Sequence, residues 1–432
     1  MSRSIGEHVR CPNGSLINNR WKVVDEIGCG NFAKVYKCTD AQNPTSSPVA
    51  VKILKKEYAA DANFENDILK TLNAKDSRGH KVVRKLDSFT WQRCPCFVFA
   101  LRGPALRACK LGAAKCGVPA HELRAFVKEM LVTLAFLHDD VRMCHTDLKP
   151  ENILLDEPGA APAIGIGSGW TIADFGSASF YNPAKPDKDL ISTRPYRAPE
   201  VVLGLPWSPK ADVWSMACIF FEIFHGGRLF DVNDDAVHLA AFEKRITKMP
   251  ATMSRQSKHF SRFFDTRGDL IRPSTGTHGP QRALRDIVTN DPQLLDLLNG
   301  MLAIDPEKRM SARQALHHPY VQQGASASVP STPTTPADAL VEGFAAKLVL
   351  TEKENNIAAP AGGKPVMPVI DTRRDSAFSS AAGAPPISAR SDATKFGVFA
   401  GAGRVPLSAV PAAGKPSGLT PRYAYPTSAR LY

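Results

Sequence analysis

The sequence predicts an α+β protein with two unequal lobes, a small β-rich N-lobe and a larger helical C-lobe, followed by a disordered C-terminal tail. Short β-branched or alternating apolar runs dominate residues 21–102, whereas apolar residues at helical spacing dominate residues 103–320. In residues 321–432 Ala, Pro, Ser and Gly prevail, and such a composition buries too little apolar surface to offset the entropy lost on folding. Residues 1–20 form a short N-terminal extension.

The N-lobe is predicted to be built around a β-sheet. Its strands are predicted, in chain order, at "WKVVDEIG", "AKVYKCT", "PVAVKIL" and "CFVFALRG". One helix is predicted before the last of these strands, at "NFENDILKTLNA". Its apolar residues recur at helical spacing: Phe64, Ile68, Leu69 and Leu72.

The C-lobe is predicted to be mainly helical. Its strongest helical patterns are "HELRAFVKEMLVTLAFLH", "SPKADVWSMACIFFEIF" and "PQLLDLLNGMLA". Between the first two lies "DEPGAAPAIGIGSGW", rich in Gly, Ala and Pro, which predicts a surface loop. Ligands commonly bind between two such units, so we expect the functional site in the cleft between the lobes.

Composition limits the classes of function. The formal net charge of +12 favours acidic ligands such as nucleotides or phosphorylated partners, with a basic solvated surface as the alternative. Nucleic-acid binding is the least favoured class, because the basic residues are dispersed and no aromatic platform is interleaved with them. The nine cysteines lack the spacing of a disulfide framework, and no apolar run reaches the roughly 20 residues that span a bilayer. We expect reduced thiols and no association with a membrane.

A glycine-rich turn and a lysine point to phosphate binding in the N-lobe. In "GCGNFAKV", Gly28 and Gly30 allow the backbone to approach phosphates, although a tight hairpin is an equal alternative for this motif alone. Lys52 lies inside the strand "VAVKIL", and the helix that follows carries Glu65. Lys52 is predicted to bind the α- and β-phosphates while Glu65 holds its ammonium group. The alternatives are a lysine that reaches solvent and a glutamate on an exposed helix face.

The stretch "HTDLKPENILL", with the later "ADFG", is the most specific motif. Phosphoryl transfer needs a carboxylate oriented at the substrate hydroxyl, which Asp147 supplies, and a cation near the moving phosphoryl group, which Lys149 supplies. Asn152 and Asp174 are predicted to bind metal. Each residue alone could serve in a turn or cap, but the order and spacing of the set predict catalysis.

These motifs resemble those of eukaryotic protein kinases over residues 21–320. More narrowly, they resemble the LAMMER, or Cdc2-like, family within the cyclin-dependent and MAP-kinase-like group. That family's catalytic loop has the same His-Thr-Asp-Leu-Lys-Pro-Glu-Asn-Ile-Leu order, and "ADFGSASF", "STRPYRAPEVVLG" and "SPKADVWSMACIFFE" are also similar to it. The signature Glu-His-Leu-Ala-Met-Met-Glu-Arg is present only in altered form, as "VHLAAFEKRI", which predicts a divergent substrate lobe.

The resemblance implies a kinase that uses ATP and Mg²⁺ to phosphorylate Ser and Thr, with Tyr as a further acceptor, in proteins that are Arg/Ser-rich or otherwise basic. It implies a monomer in the nucleus and/or the cytoplasm. It also implies further nucleotide contacts: Ile27, Val35 and Ala50 around the base, Phe99 as gatekeeper, and the backbone of Ala100 and Arg102 at the adenine. The family usually has Glu where Ala100 stands, but main-chain recognition of adenine should survive this change.

Thr146 stands where many kinases have arginine before the catalytic aspartate. That arginine is a buried cation which awaits a phosphate on the activation loop. Because Thr146 carries no charge to neutralise, we predict activity without activation-loop phosphorylation.

Other residues are predicted to support the fold. Asp212 is expected to cap the catalytic-loop backbone, Glu200 to pair with Arg309, and His145 to pack against Phe175. The two arginines near the substrate groove, Arg194 and Arg197, should attract acidic or phosphorylated residues, with a loop-bracing role as the alternative for Arg197.

Two other functions stay open. The same chemistry could serve cell-cycle or chromosome-segregation control, since an Arg/Ser-rich extension is absent from the first 20 residues. A pseudokinase scaffold is the alternative from a different class. The joint presence of Lys52, Glu65, Asp147, Asn152 and Asp174 argues against it, because a scaffold needs no such set.

Overall fold

The computed structural model describes residues 8–109, 118–159, 169–271, 282–323 and 430–431. The predicted surface loop lies largely outside these residues, and so does almost all of the predicted tail. Within the described part of the chain, no helix combines the length and apolar character needed to cross a membrane.

The N-lobe is an antiparallel sheet with one helix packed on it. Its strand order is β1-β2-β3-β4-β6-β5, and α1 lies between β4 and β5 in the chain. The bounds are β1 Leu16–Ile17, β2 Trp21–Cys29, β3 Ala33–Asp40, β4 Val49–Leu54, α1 Ala59–Lys75, β5 Lys85–Trp91 and β6 Cys94–Ala100. All four predicted strands and the predicted helix are present, with β1 and β5 in addition.

Two of these findings refine the sequence analysis. The strand β1 belongs to the predicted N-terminal extension yet pairs with β2, and Tyr36 Oη donates to the carbonyl of Val9 at 3.1 Å. On α1, Ile68, Leu69 and Leu72 are buried as expected, but Phe64 is 46% exposed. The inward position next to Phe64 is taken by Glu65, which is buried because it pairs with Lys52.

The C-lobe is a helical core with two short antiparallel strand pairs. Its helices are α2 Ala120–Ala135, α3 Pro199–Val202, α4 Lys210–His225, α5 Asp235–Arg245, α6 Ala251–Gln256, α7 Phe260–Phe263, α8 Leu284–Ile287, α9 Pro292–Met301, α10 Ala312–Leu316 and α11 Pro319–Gln322. The three strongest helical patterns of the sequence correspond to α2, α4 and α9. The helix α4 is buried along almost its whole length, and Gly226, at φ 82°, ends it in the left-handed conformation that glycine adopts without strain.

Short strands carry the catalytic-loop motifs. They are β7 Met143–Cys144, β8 Ile153–Leu155, β9 Trp170–Ile172 and β10 Ser179–Phe180, and β7 pairs with β10 while β8 pairs with β9. The stretch from His145 to Asn152 therefore lies between two strands whose partners flank Asp174. A last strand, β11 Arg430–Leu431, pairs with β2 at Cys29 and Gly28.

Candidate active site

A cavity of about 690 Å³ lies between the lobes. Most of the predicted site residues line it: Ile27, Gly30, Val35, Ala50, Lys52, Glu65, Phe99, Ala100, Arg102, Asp147, Lys149 and Asp174. Two predicted residues lie behind its wall. Gly28 is buried in the sheet opposite Val35, and Asn152 is only 1% exposed.

The glycine-rich turn connects β2 to β3 at the roof of the cavity. The amide of Gly30 donates to the carbonyl of Ala33 at 2.9 Å, which closes the turn. On the opposite side, β6 places Phe99 beside Ala50 and leads into the connection between the lobes. There the guanidinium of Arg102 contacts Asp156 at 3.4 Å, so its side chain is directed away from the base pocket toward β8.

Lys52 joins three elements that border the cavity. From β4, its Nζ lies 2.7 Å from Glu65 Oε1 on α1 and 3.0 Å from Asp174 Oδ1. Burial opposes ionisation of Asp174, but the adjacent Lys52 ammonium outweighs burial and holds the pKa of that carboxyl below its usual value. Burial raises the pKa of Glu65 despite the same ammonium. The two carboxylates thus keep one lysine charged and fixed at the cavity wall.

Asp174 is held in an uncommon backbone conformation. Its φ of 61° lies in the left-handed region, which residues other than glycine rarely adopt. A Cβ at Gly176 would lie 3.4 Å from both Asp174 Oδ1 and Glu65 Oε2, in van der Waals contact with the two carboxylates. Phe175 packs on His145 with ring centroids 4.9 Å apart, which confirms the predicted contact.

Asp147 sits among three donors. Lys149 Nζ lies 2.6 Å from Asp147 Oδ2, and Thr193 donates to Asp147 Oδ1 from both its amide, at 2.9 Å, and its hydroxyl, at 2.7 Å. Thr193 lies within "STRPYRAPE", but no pattern in the sequence indicates this contact. This threonine fixes the carboxylate from the activation segment (residues 174–200), while Lys149 fixes it from the catalytic loop (residues 145–152).

One polar side-chain atom of Asn152 is hydrogen-bonded and the other is not. Its Nδ2 donates to the carbonyl of Asp147 at 2.9 Å, whereas the buried Oδ1 has no hydrogen-bond partner among the described residues. The amide of Ala173 donates to the carbonyl of Asn152 at 2.8 Å, so Asp174 follows directly in the adjacent strand segment. An unpaired amide oxygen beside a carboxylate is a donor set that suits Mg²⁺, which usually binds one or two carboxylates together with substrate phosphates and water.

Asp212 on α4 caps the catalytic loop, as predicted. Its two oxygens accept hydrogen bonds from the amides of His145, at 2.7 Å, and Thr146, at 2.9 Å, and Oδ2 lies 3.0 Å from His138 Nε2. Burial raises the pKa of Asp212, but the hydrogen bond from His138 and the neighbouring histidines outweigh burial and leave the pKa lowered. His138 was not singled out from the sequence.

Thr146 links the catalytic loop to the activation segment without using a charge. It is buried, with a φ of 67°, and its hydroxyl donates to the carbonyl of Ser177 at 2.6 Å. Its own carbonyl accepts from the hydroxyl of Ser192 at 2.9 Å. Two positions of the activation segment, Ser177 near its start and Ser192 further along, are therefore hydrogen-bonded to one residue.

The two arginines predicted at the substrate groove are engaged inside the protein. Arg197 is 3% exposed and its guanidinium donates to the carbonyls of Ile191, at 2.9 Å, and Ser192, at 2.7 Å, so it braces the loop. Burial, with the charge of Arg194 nearby, lowers the pKa of Arg197 to about 10. Arg194 forms an ion pair with Asp235 at the start of α5. The prediction that Arg197 attracts acidic substrate residues is therefore wrong, and the alternative of a loop-bracing role is confirmed, because its donors bond to backbone oxygens.

The predicted bridge between Glu200 and Arg309 is present. Two hydrogen bonds, of 2.7 and 2.8 Å, join the carboxylate to the guanidinium, and both side chains are fully buried. Arg309 also lies over the ring of Trp214, 5.0 Å from its centroid. The altered signature on α5 packs against the same tryptophan, because the ring of Phe242 lies 5.2 Å from that of Trp214.

Comparisons with known proteins agree with this geometry. The protein kinase domain family matches residues 21–321. The chain is 32% identical to the serine/threonine-protein kinase AFC3 of Arabidopsis thaliana over 331 residues, covering 70% of this chain and 82% of that protein. It is also 32% identical to the dual specificity protein kinase CLK2 of Mus musculus, covering 71% of this chain and 65% of the relative. The crystal structure of the PF14_0431 kinase domain superposes with a TM-score of 0.65 at 28% identity, covering 73% of this chain and 99% of that one.

Proposed function

The chain belongs to the protein kinase family and is a protein kinase of LAMMER type, and we propose that it transfers the γ-phosphoryl group of ATP to Ser and Thr of proteins, with Tyr as a further acceptor. One observation carries the proposal. The carboxylate of Asp147 is held by Lys149 and Thr193 at the edge of a cavity that also contains the Lys52–Asp174 ion pair. A scaffold would gain nothing from holding these side chains together.

The reacting groups have distinct proposed roles. Asp147 accepts the hydrogen bond of the substrate hydroxyl and orients its oxygen toward the phosphorus, and it receives the proton as the new bond forms. Lys149 stabilises the negative charge that develops on the transferred group. Thr193 prevents the carboxylate of Asp147 from rotating, so the hydroxyl meets it in one orientation.

The nucleotide is proposed to bind in the cavity between the lobes. Ile27, Val35 and Ala50 pack on the base, Phe99 closes the rear of the pocket, and the backbone of Ala100 and Arg102 recognises adenine. Gly28 and Gly30 place the turn over the phosphates. Lys52 binds the α- and β-phosphates, and Glu65 keeps its ammonium in place.

Magnesium is proposed to bind at Asn152 and Asp174. The ionised carboxyl of Asp174, which lines the cavity, and the unpaired Oδ1 of Asn152, just behind the cavity wall, would provide the protein oxygens. When bound, Mg²⁺ neutralises charge on the phosphates. Asn152 also donates to the carbonyl of Asp147, so the same short turn positions both the metal ligand and the carboxylate that accepts the substrate proton.

We propose that activity does not require phosphorylation of the activation segment. Many kinases have an arginine at this position, which needs a phosphate on the activation segment. Thr146 instead holds the activation segment at Ser177 and Ser192 through neutral hydrogen bonds. Protein made in bacteria and treated with a phosphatase should phosphorylate a peptide at the same rate as untreated protein. Activity that appears only after incubation with a second kinase would contradict this.

Residues 21–320 are proposed as the catalytic domain, with residues 1–20 as an N-terminal extension and residues 321–432 as a tail. Removal of residues after 323, which spares α11, should leave peptide phosphorylation intact. A large loss of activity in the shortened protein would contradict this boundary. We propose further that the protein is a monomer located in the nucleus and/or the cytoplasm, which light scattering and a fluorescent fusion would test.

The deciding experiment measures phosphate transfer from ATP and Mg²⁺ to an Arg/Ser-rich peptide and to a generic basic peptide. The matched control is Asp147→Asn, which keeps the size of the side chain and removes its basicity. Transfer by the natural protein and not by the variant supports the proposal, provided both bind ATP in a thermal-shift measurement. ATP binding without transfer to either peptide would favour a scaffold. Preference between the peptides tests the link to Arg/Ser-rich substrates.

A further inference from the structure

Arg107 lies at the centre of a cluster that the proposed reaction does not use. Its Nε lies 2.9 Å from Glu151 Oε1, its Nη1 2.8 Å from Glu222 Oε1, and its Nη2 2.8 Å from the hydroxyl of Tyr196. The hydroxyl of Tyr196 in turn donates to Glu222 Oε2 at 2.6 Å. One guanidinium therefore contacts two carboxylates and a phenol that come from three separate segments. The second oxygen of Glu151, Oε2, is buried and has no hydrogen-bond partner among the described residues.

The cluster lies beside the reacting carboxylate. Glu151 is four residues after Asp147, and Tyr196 is three residues after Thr193, which holds Asp147. Since an extended residue spans about 3.5 Å, each lies within roughly 10–14 Å of its neighbour in the site. A substrate segment whose hydroxyl reaches Asp147 can cover that distance with three or four residues, so a flanking side chain can reach the cluster.

The cluster has the composition of a receptor for a guanidinium group. Carboxylates bind guanidinium groups through paired, charge-assisted hydrogen bonds, and the planar arginine side chain fits such an arrangement better than lysine does. Glu222 is 4% exposed and Glu151 is 18% exposed, so both carboxylates are shielded from bulk water. Arg107 is 34% exposed, so it is the most solvent-accessible of the three charged side chains in the cluster. Without Arg107, the opening would present two converging negative charges to an incoming side chain.

Arg107 is secured from both sides. It lies in a three-residue turn, Leu106–Ala108, in which Leu106 is fully buried, and Cys109 immediately after it is buried as well. A group tethered this closely competes at an effective concentration of millimolar or higher, far above that of a protein substrate. A second arginine, Arg228, contacts Asp231 at 3.2 Å and lies near enough for its charge to interact with Glu222.

We propose that Arg107 is a specificity-determining residue that fills a guanidinium-binding subsite formed by Glu151, Glu222 and Tyr196. The kinase therefore does not select arginine at the substrate position that passes this subsite, and accepts neutral residues there. This inference rests on the proposed function, because it concerns substrates of the same reaction. Any preference for Arg/Ser-rich proteins must then arise from other parts of the substrate groove.

A positional peptide series tests the proposal. The reference peptide has one Ser among alanines, and each other member carries a single Arg at one of the four positions on either side. At the position that passes the subsite, the natural protein should phosphorylate the Arg peptide with a kcat/KM within about twofold of the reference. Arg107→Ala should raise kcat/KM for one Arg member about tenfold over the reference, as expected when a charge-assisted pair becomes available. Adding Glu151→Gln to Arg107→Ala should remove most of that gain.

The controls separate this proposal from the proposed function. Arg267→Ala, which removes an exposed arginine beside Asp265, should leave the whole profile unchanged. If Arg107→Ala does not fold, Arg107→Gln retains a planar donor and removes the charge, and a smaller gain at the same position is expected. The proposal is overturned if a folded double variant, with Arg107→Ala or Arg107→Gln combined with Arg228→Ala, has the same peptide profile as the natural protein. It is also overturned by a natural protein whose strong Arg preference is lost in Glu151→Gln. Failure to phosphorylate any peptide would instead contradict the proposed function.

Discussion

The hydroxyl of Thr146 donates a 2.6 Å hydrogen bond to the carbonyl of Ser177, joining the catalytic loop to the segment that follows Asp174. Thr146 is buried and Ser177 is partly buried, and the bond helps to hold Thr146 at a positive φ that a β-branched residue adopts only when its surroundings impose it. The described arrangement of the segment therefore depends on packing and neutral hydrogen bonds. It should be insensitive to phosphatase treatment but sensitive to small changes in this side chain.

Replacement of Thr146 by valine keeps the shape of the side chain and removes its hydroxyl. The carbonyl of Ser177 then loses its partner in a partly buried site, and the free energy of unfolding should fall by about 1 kcal/mol. Urea denaturation measures the loss. Thr45→Val is the control, since the hydroxyl of Thr45 bonds to Asn43 on the exposed surface and its removal should have little effect. Equal stability of the two variants would show that the bond to Ser177 contributes nothing.

Asn152→Ala should raise the Mg²⁺ concentration that gives half-maximal activity by about tenfold and lower kcat as well. The substitution removes the unpaired Oδ1 and frees the carbonyl of Asp147. A magnesium titration of initial rates checks this. Asn73→Ala is the matched control, because the amide of Asn73 also donates to a backbone carbonyl, that of Lys85, at 2.7 Å. A fall in kcat at an unchanged Mg²⁺ requirement would assign Asn152 to support of the loop alone.

Asp212→Asn should destabilise the protein by about 3 kcal/mol at pH 7, because an amide would present hydrogen atoms to the donors of His145 and Thr146. The pKa of Asp212 in the folded protein lies below that of an unfolded aspartate, about 3.9. Its stabilising contribution is therefore complete above pH 3.9 and is lost as pH falls through the folded pKa. The stability difference between the natural protein and the variant should be constant from pH 5 to 7 and shrink below pH 4. Denaturation at several pH values tests this, and a difference that grows in acid would contradict it.

Arg309→Met should cost about 3–5 kcal/mol of stability, because Glu200 would remain buried without its partner. The double variant Glu200→Gln/Arg309→Met should recover part of the loss, since no uncompensated charge is left. Arg313→Met serves as control, because Arg313 pairs with Asp139 on the surface, where such pairs contribute little. Thermal denaturation of the four proteins is sufficient. Similar melting temperatures for the Arg309 and Arg313 variants would argue against a structural role of the buried pair.

Much of the fold and most of the cavity could be predicted because the information is local. Strands β2, β3, β4 and β6 and helices α2, α4 and α9 have strong apolar patterns of their own. The residues from Lys52 to Asp174 that line the cavity belong to short motifs whose spacing is read along the chain. Strand β5 was missed because "KLDSFTW" alternates partly exposed and exposed residues without a continuous apolar run.

The remaining features depend on contacts between distant segments. Thr193 meets Asp147 across 46 residues, and Arg107 meets Glu222 across 115, and no periodicity or spacing predicts which side chains converge. The sequence allowed two roles for Arg197, attraction of acidic residues and bracing of the loop, because it shows the charge of a residue but not its burial. Phe64 was placed with the core residues of α1, but the ion pair of Glu65 with Lys52 rotates that face of the helix toward the cavity.

The ion pair of Glu200 with Arg309 has a consequence for biosynthesis. The two residues are 109 positions apart, and a ribosome that adds about 5–20 residues per second makes Arg309 roughly 5–20 s after Glu200. During that interval the nascent chain holds a carboxylate that cannot enter the interior without a cation. The C-lobe therefore completes its folding only when its last helices emerge, and a ribosome that stalls before Arg309 would expose the apolar surface of α4 to chaperones.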